Sequence, residues 1–422
     1  MARIEEALQF IQQGDAEKGL FLLEEINKNG THEEQYEIAR TYYELGLADR
    51  AKAIVESLLL LYPDEGELYM FSAELLIDLE QEDEALDMLN EVKESDPVYV
   101  QALLLMADLY QMQGLDEVAE QKLLAARRIM PDEPIIDFGL GEFYLAQGDY
   151  QKSIPAYRRV LESQDKIGDV NVHLRLAEAL STGGDFDEAL AHYEKGLGDK
   201  LEINALFGYA FTAFQAERYR TAIQKFEELK DIDPAYTPLY LFLAKAYEEE
   251  GANDEAYETI KAGLEQDEFN KEMYYYAAQA AVRMKNQQEA ETFLKQAIAL
   301  DPGYTDALIM LSDQYFKEDR HEDVIDLLEH AGSFGETDPR FEWYLARAKN
   351  QMEYYGEALN HYESAYTFFK ENASFLAEYG AFLLEEGRRP EALKVMKSAS
   401  AIDPDNMEIQ DIVRRLTDEL NN

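Results

Sequence analysis

Cysteine is absent from all 422 residues, which excludes a disulfide framework, a thiolate nucleophile and any cysteine-ligated metal. Positive charge is scarce: 39 Lys and Arg stand against 87 Asp and Glu, for a formal net charge of -48. A surface this negative repels phosphate backbones, so neither direct nucleic-acid binding nor binding to an anionic membrane is expected. Long apolar runs are missing as well. Leu58–Leu61 and Leu103–Met106 are far too short to cross a bilayer. The opening Met1-Ala2-Arg3-Ile4-Glu5-Glu6 places carboxylates where a signal peptide needs its apolar stretch. Together these absences point to a reducing, cytoplasmic setting.

The signatures of catalysis are also missing. A zinc-protease helix needs two histidines four residues apart, but His32-Glu33 is followed there by Tyr36 and His321-Glu322 by Ile325. Gly139-Leu140-Gly141 lacks the third glycine and the preceding strand of a dinucleotide loop. No phosphate loop and no nucleophile elbow occurs. The expectation is a protein that is not an enzyme, with no cofactor and no metal.

What is present is apolar bulk and order. Apolar residues make up 46% and aromatics 12% of the chain, enough for a continuous core despite the charge. The acidity is uneven: residues 51–150 hold 23 acidic against 5 basic side chains, and residues 151–300 hold 27 against 17.

A repeat runs through the sequence. Small residues recur as anchors at Gly19, Ala51, Ala85, Ala119, Ser153, Ala189, Ala222, Ala256, Ala290, Val324, Ala358 and Ala392, mostly 34 residues apart. Five residues ahead of many anchors stands a glycine, at 14, 46, 114, 184, 251 and 387. Twelve residues ahead lies a second small column, Ala7, Ala39, Ala73, Ala107, Gly141, Ala177, Ala210, Ala244, Ala278, Ser312, Ala346 and Gly380. Four residues after each anchor the side chain is large, from Leu23 and Val55 through Tyr157, Phe226 and Tyr362 to Met396. Proline appears twelve residues after six anchors, at 63, 97, 131, 234, 302 and 404. Small residues let two antiparallel helices approach closely, and the large residue one turn on fills the space to the neighbour. Glycine breaks the chain between paired helices, and proline is expected in the first turn of the next pair.

These columns resemble the tetratricopeptide-repeat family over roughly residues 1–404. The resemblance implies an all-α solenoid, a right-handed superhelix of about twelve helix-turn-helix repeats. Residues 405–422 read as a C-terminal capping helix, with Ile409, Ile412, Val413 and Leu416 on one side. The one 36-residue spacing places an insertion near Gln164–Asn171, and Gly196-Leu197-Gly198-Asp199 shortens the next linker, so the array either bends within 164–200 or merely carries a longer loop there.

In the resembled family the first helix of each pair lines a concave, partner-binding surface. Carried over, its central column eleven residues before each anchor presents Glu74, Asp108, Glu142 and Glu178 in succession. Neighbouring positions add Met70, Phe71, Asp78, Leu104, Leu105 and Phe138, then Phe207, Phe211, Phe214, Leu241 and Phe242. The acidic ladder beside apolar side chains suits a basic, amphipathic protein segment, or is a solvated face; the Phe207–Phe214 cluster is either groove or packing. Arg340, Trp343, Tyr344, Arg347 and Asn350 form a basic aromatic spot, able to take a carboxylate or to pair with neighbouring acidic residues. The Lys-Asn-Asn-Lys-Arg clamp of chaperone-binding members is not matched, since the aligned positions are mostly acidic or apolar. Ile4, Leu8 and Ile11 at the first repeat allow self-association or an exposed end.

The reading that follows is a non-catalytic scaffold or adaptor in a bacterial-type cytoplasm. Its alternatives are an acidic holdase or decoy for basic transcription or translation proteins, and a non-catalytic subunit of an enzyme complex, which no residue supports.

Overall fold

The structure is a computed structural model that describes residues 2–198 and 202–421. Asp199 of the glycine-bracketed linker therefore lies outside the described residues. The described chain holds twenty-five α-helices and one two-stranded β-hairpin. The helices form twelve hairpins, from Ala2–Gln12 with Ala16–Asn29 to Ala373–Glu385 with Arg389–Ile402, and a last helix, Met407–Asn421. They divide into two compact units, Met1–Leu201 and Glu202–Asn422, each an α-solenoid of stacked hairpins.

The sequence columns explain the stacking. All twelve anchors are buried, and so are all twelve small residues of the preceding column and all twelve large residues that follow. Ala and Gly at the crossing let the paired backbones close up, and Tyr157, Phe226 and Tyr362, each no more than 1% exposed, fill the interval beyond. Apolar clusters succeed one another along each unit, built from residues of adjacent hairpins. A hairpin alone leaves its stripe uncovered; its neighbours cover it.

The turn five residues before each anchor is left-handed in every repeat. Gly14, Gly46, Gly114, Gly148, Gly184, Gly251 and Gly387 have positive φ there, and so do Glu80, Glu217, Lys285, Asp319 and Glu353, with φ between 56° and 62°. A side chain in this conformation costs about 1–2 kcal/mol, which glycine avoids at some cost in chain entropy. Glu80→Gly and Lys285→Gly are each expected to raise stability by about 0.5–1 kcal/mol, read as an upward shift of the melting temperature of the unit that carries the change.

Two expectations need correction. The prolines at 63, 97, 131, 234, 302 and 404 do not sit in a first helical turn: each lies in the linker, ahead of helices that begin at Gly66, Tyr99, Pro134, Pro238, Thr305 and Met407. There proline ends the preceding helix and stiffens the connection. Ile4 is not exposed for self-association either. It is 6% exposed, and Leu8 and Ile11 pack partly buried against the same cluster.

The extra residues near 164–171 form the β-hairpin, Lys166–Ile167 against Val170–Asn171, turning through Gly168 at φ 56°. Asn171 then caps the helix Val172–Gly183, its side chain accepting from the His173 N–H, and donates through Nδ2 to the Gly196 carbonyl. At the C-terminal end, Met407–Asn421 buries Ile409 and Leu416 against the last hairpin, with Ile412 and Val413 packed beside them. Among the described residues no helix is long and apolar enough to cross a membrane.

Candidate functional site

First helices of successive hairpins lie side by side, and their side chains reach across from one to the next. In the N-terminal unit Tyr36 and Tyr43, from His32–Glu44, meet Phe71 of Gly66–Asp78 edge-on, each at 5.7 Å between ring centroids. Phe71 is thereby 5% exposed. It is core, and its expected place on an open groove is corrected: the two tyrosines of the preceding repeat close over it. Met70, Leu104, Leu105 and Phe138 are half-buried, leaning on the clusters beneath. Phe138 meets the ring of Tyr157 at 6.0 Å.

The four-carboxylate column splits into two unlike pairs. Glu142 is held from three sides. Arg175 donates from Nε to Oε1 at 2.7 Å and from Nη2 to Oε2, and the Tyr157 hydroxyl donates to Oε1. The remaining arm of Arg175 donates from Nη1 to Glu178 Oε2 at 2.6 Å. A forked guanidinium bridging two carboxylates is a strong, oriented contact, and it pushes the Arg175 pKa up. Burial pushes the Tyr157 hydroxyl up. Glu142 and Glu178 are therefore spoken for.

Glu74 and Asp108 are not. Neither makes a hydrogen bond or an ion pair among the described residues. Glu74 is half-buried and its carboxyl is pushed up by that burial, with Arg40 opposing and Asp78 adding to the shift. Asp108 is open to solvent, yet enough protein crowds it that desolvation pushes its carboxyl up too. Asp78 is exposed beside the Tyr43 hydroxyl, whose pKa it helps to raise.

In the C-terminal unit the phenylalanines pack on one another. Phe207 and Phe242 both meet the fully buried Phe226, at 5.8 and 6.5 Å, and Phe211 meets Phe242 at 4.9 Å. Phe214 touches Tyr219 and Phe242, and Leu241 is half-buried. The basic aromatic spot is internally neutralised, the second of the two readings that its sequence allows. Trp343 Nε1 donates to Glu378 Oε1 at 3.1 Å, Tyr362 donates to the same oxygen at 2.9 Å, and Arg347 Nε lies 3.5 Å from Oε2. The Arg347 guanidinium also lies over the Phe316 ring at 4.4 Å. Tyr344 donates to Asp313 at 2.8 Å, and Arg340 is forked on Asp338. Asn350 lines a polar pocket of about 400 Å³ with Gln351, Tyr362, Glu378 and His321. Among the described residues no cluster of three or more His, Cys, Asp and Glu is placed to hold a metal.

Arg175 and Glu378 organise these two neighbourhoods, and the column reading missed both. Their signal was the repeat length: Arg175 stands 33 residues after Glu142, and Glu378 35 after Trp343. One repeat in sequence is one neighbour in space.

Beside the β-hairpin, His173 and His192 face each other with Nδ1 atoms 2.8 Å apart. Burial pushes both below their ordinary value of 6.5; Lys195 adds to this for both and Arg158 for His192, while Asp165 and Glu188 oppose. A histidine with a depressed folded pKa takes up its proton more readily when unfolded. Stability is therefore retained above pH 6.5 and falls as the pH drops below it. Melting temperatures between pH 8 and 5.5 should show this loss in the native chain and a smaller one in His192→Gln.

Stacked hairpins carrying the same three columns, with first helices forming a side-chain-rich wall, define a helical-repeat scaffold. A relative 45% identical over 416 residues is the TPR repeat-containing protein YpiA of Bacillus subtilis (strain 168), the match covering 99% of this chain and 98% of that one. The chain belongs to the tetratricopeptide-repeat family. The family description "YpiA-like, tetratricopeptide repeats" matches residues 111–165, and its C-terminal counterpart matches residues 339–406. General tetratricopeptide-repeat descriptions match 174–237, 213–282 and 271–304. DnaJ homolog subfamily C member 3 of Gallus gallus is 22% identical over 237 residues, 50% of this chain and 46% of its own. A tetratricopeptide repeat protein from Parabacteroides merdae ATCC 43184 aligns with 59% of this chain and 98% of its own, at 16% identity and a TM-score of 0.43. Proteins of this family generally mediate protein–protein interactions and are generally non-catalytic.

Proposed function

We propose that this chain is a scaffold or adaptor whose N-terminal wall of first helices binds a basic, amphipathic protein segment in the cytoplasm. The carrying observation is the Glu74 and Asp108 pair. Two carboxylates on successive repeats are partly desolvated, Asp108 with no cation to offset it and Glu74 with Arg40 offsetting it only in part, and a Lys or Arg from a partner supplies the missing cation. Met70, Leu104, Leu105 and Phe138, half-buried alongside, offer apolar surface for the other face of such a segment. Residues 1–404 act in this reading as the repeat array and residues 405–422 as its end cap.

The test is fluorescence anisotropy with labelled peptides bearing Lys or Arg on one helical face and Leu or Phe on the other. The scaffold reading expects saturable binding that persists at moderate salt and needs the apolar face. Binding that disappears with salt and ignores the apolar face would instead make the chain a decoy acting through its charge of -48.

A further inference from the structure

The most acidic stretch of the chain contains a cationic pocket. Arg127 and Arg128, at the end of the helix Asp116–Ile129, and Arg159, on the helix Tyr150–Leu161, line an open pocket of about 680 Å³ with Gln121, Leu124 and Pro131. Residues 51–150 have only 5 basic side chains against 23 acidic ones, and two of the five stand here side by side.

The three guanidiniums are balanced by one carboxylate. Asp137 is buried, and its Oδ1 accepts from Arg159 Nε at 2.9 Å and Nη2 at 2.6 Å. Arg127 Nη1 lies 3.8 Å from the same oxygen. Arg128 is exposed and has no ion pair among the described residues. Asp137 thus fixes Arg159 as a wall and leaves Arg127 and Arg128 in excess. Planar guanidinium forks suit an oxyanion, and carboxylate in particular.

The rim decides what carries that oxyanion. Ile129 and Met130, in the helix end and linker that carry Arg128 and Pro131, are 50% and 42% exposed, and Ile135, in the first turn of the next helix Pro134–Ala146, is 41% exposed. A free inorganic anion makes no use of apolar surface. A long polyanion is repelled by the rest of the chain, whereas a short segment senses chiefly what lies within a screening length of about 8–10 Å. We propose that this pocket binds an acidic segment of a partner protein, its carboxylates on Arg127 and Arg128 and an adjoining apolar side chain against Ile129, Met130 and Ile135. Its arginines stand on second helices, apart from Glu74 and Asp108, with Ile135 and Asp137 of the helix Pro134–Ala146 completing it, and it takes the opposite charge.

The experiment titrates the full chain into fluorescein-labelled peptides in which Asp or Glu alternate with Leu or Phe. Arg127→Gln/Arg128→Gln should weaken binding by about tenfold or more, with its circular dichroism unchanged because Arg159 keeps both hydrogen bonds to Asp137 and only the longer 3.8 Å contact of Arg127 is lost. Glu74→Gln/Asp108→Asn should leave this binding as it is, so failure here and failure of the groove reading show in different variants. No saturable binding, or equal binding by the arginine variant, overturns the proposal. So does equal binding of peptides lacking Leu and Phe, or displacement by inorganic phosphate at the peptide's own concentration, either of which would mark a small-anion site.

Discussion

Tyr157→Ala is expected to lower the stability of the N-terminal unit by about 3–5 kcal/mol, the range for truncating a large buried aromatic. Its ring is fully buried, packed by Phe138 and seated over a glycine. A Cβ built on Gly141 would come within 2.6 Å of the Tyr157 ring. Gly141→Ala should therefore cost about 1–3 kcal/mol by overpacking, although alanine is the better helix former. The ring has no easy escape, since its hydroxyl is bonded to Glu142. The two substitutions should not add. With the ring gone the new methyl enters vacated space, so Gly141→Ala/Tyr157→Ala should be no less stable than Tyr157→Ala alone. Calorimetric melting of the four proteins checks this, and additive losses would mean that Gly141 is not there to seat the ring.

The second large effect is on binding. Glu74→Gln/Asp108→Asn should weaken capture of a basic amphipathic peptide by about 2–5 kcal/mol, roughly thirtyfold or more in Kd. The same double variant should be as stable as the native chain or more so. Both carboxyls have folded pKa values raised above the ordinary ones. The folded state then holds their protons more tightly than the unfolded one, so the ionised groups cost stability at neutral pH and neutral replacements remove that cost. By the same sign, binding should weaken as the pH falls through those raised values, before ordinary carboxylates titrate. Arg175→Ala is the contrast: it strands Glu142 beside a buried hydroxyl and should destabilise the unit. Opposite signs in stability separate a carboxylate kept for a partner from one kept for the fold. A Glu74/Asp108 variant that lost stability along with binding would place both residues in the second class.

The fold was almost wholly legible in the sequence because its constraints are constraints of size. Only a small residue fits where Ala222 meets its paired helix, and only a large one fills the gap taken by Phe226. Both demands return every 34 residues. The turn was half legible: a glycine marks it in seven repeats, while Glu80, Glu217, Lys285, Asp319 and Glu353 adopt the same left-handed conformation without a glycine's signature. Site residues were legible by face but not by fate. Phe71 and Met70 are adjacent in sequence, yet the rings of Tyr36 and Tyr43 from the preceding repeat bury Phe71 and leave Met70 half-open. Glu142 and Asp108 occupy the same column, and only the long reach of Arg175 tells them apart. Size acts locally and repeats; charge pairing acts across repeats through side chains that do not.

Hairpins that grip only their neighbours also set how each unit yields to tension. Drawn out from its ends, such an array loses one link at a time instead of failing as a block. Each 34-residue link would release roughly 110–120 Å of contour, and the Met407–Asn421 helix, packed on the last hairpin, would come away from it as a shorter, separate step. The clasp of Arg175 on Glu142 joins the fifth link to the sixth, with a pull along the array loading both arms of the fork together. A force trace of the N-terminal unit should be a sawtooth of near-equal steps, with its tallest tooth at that clasp.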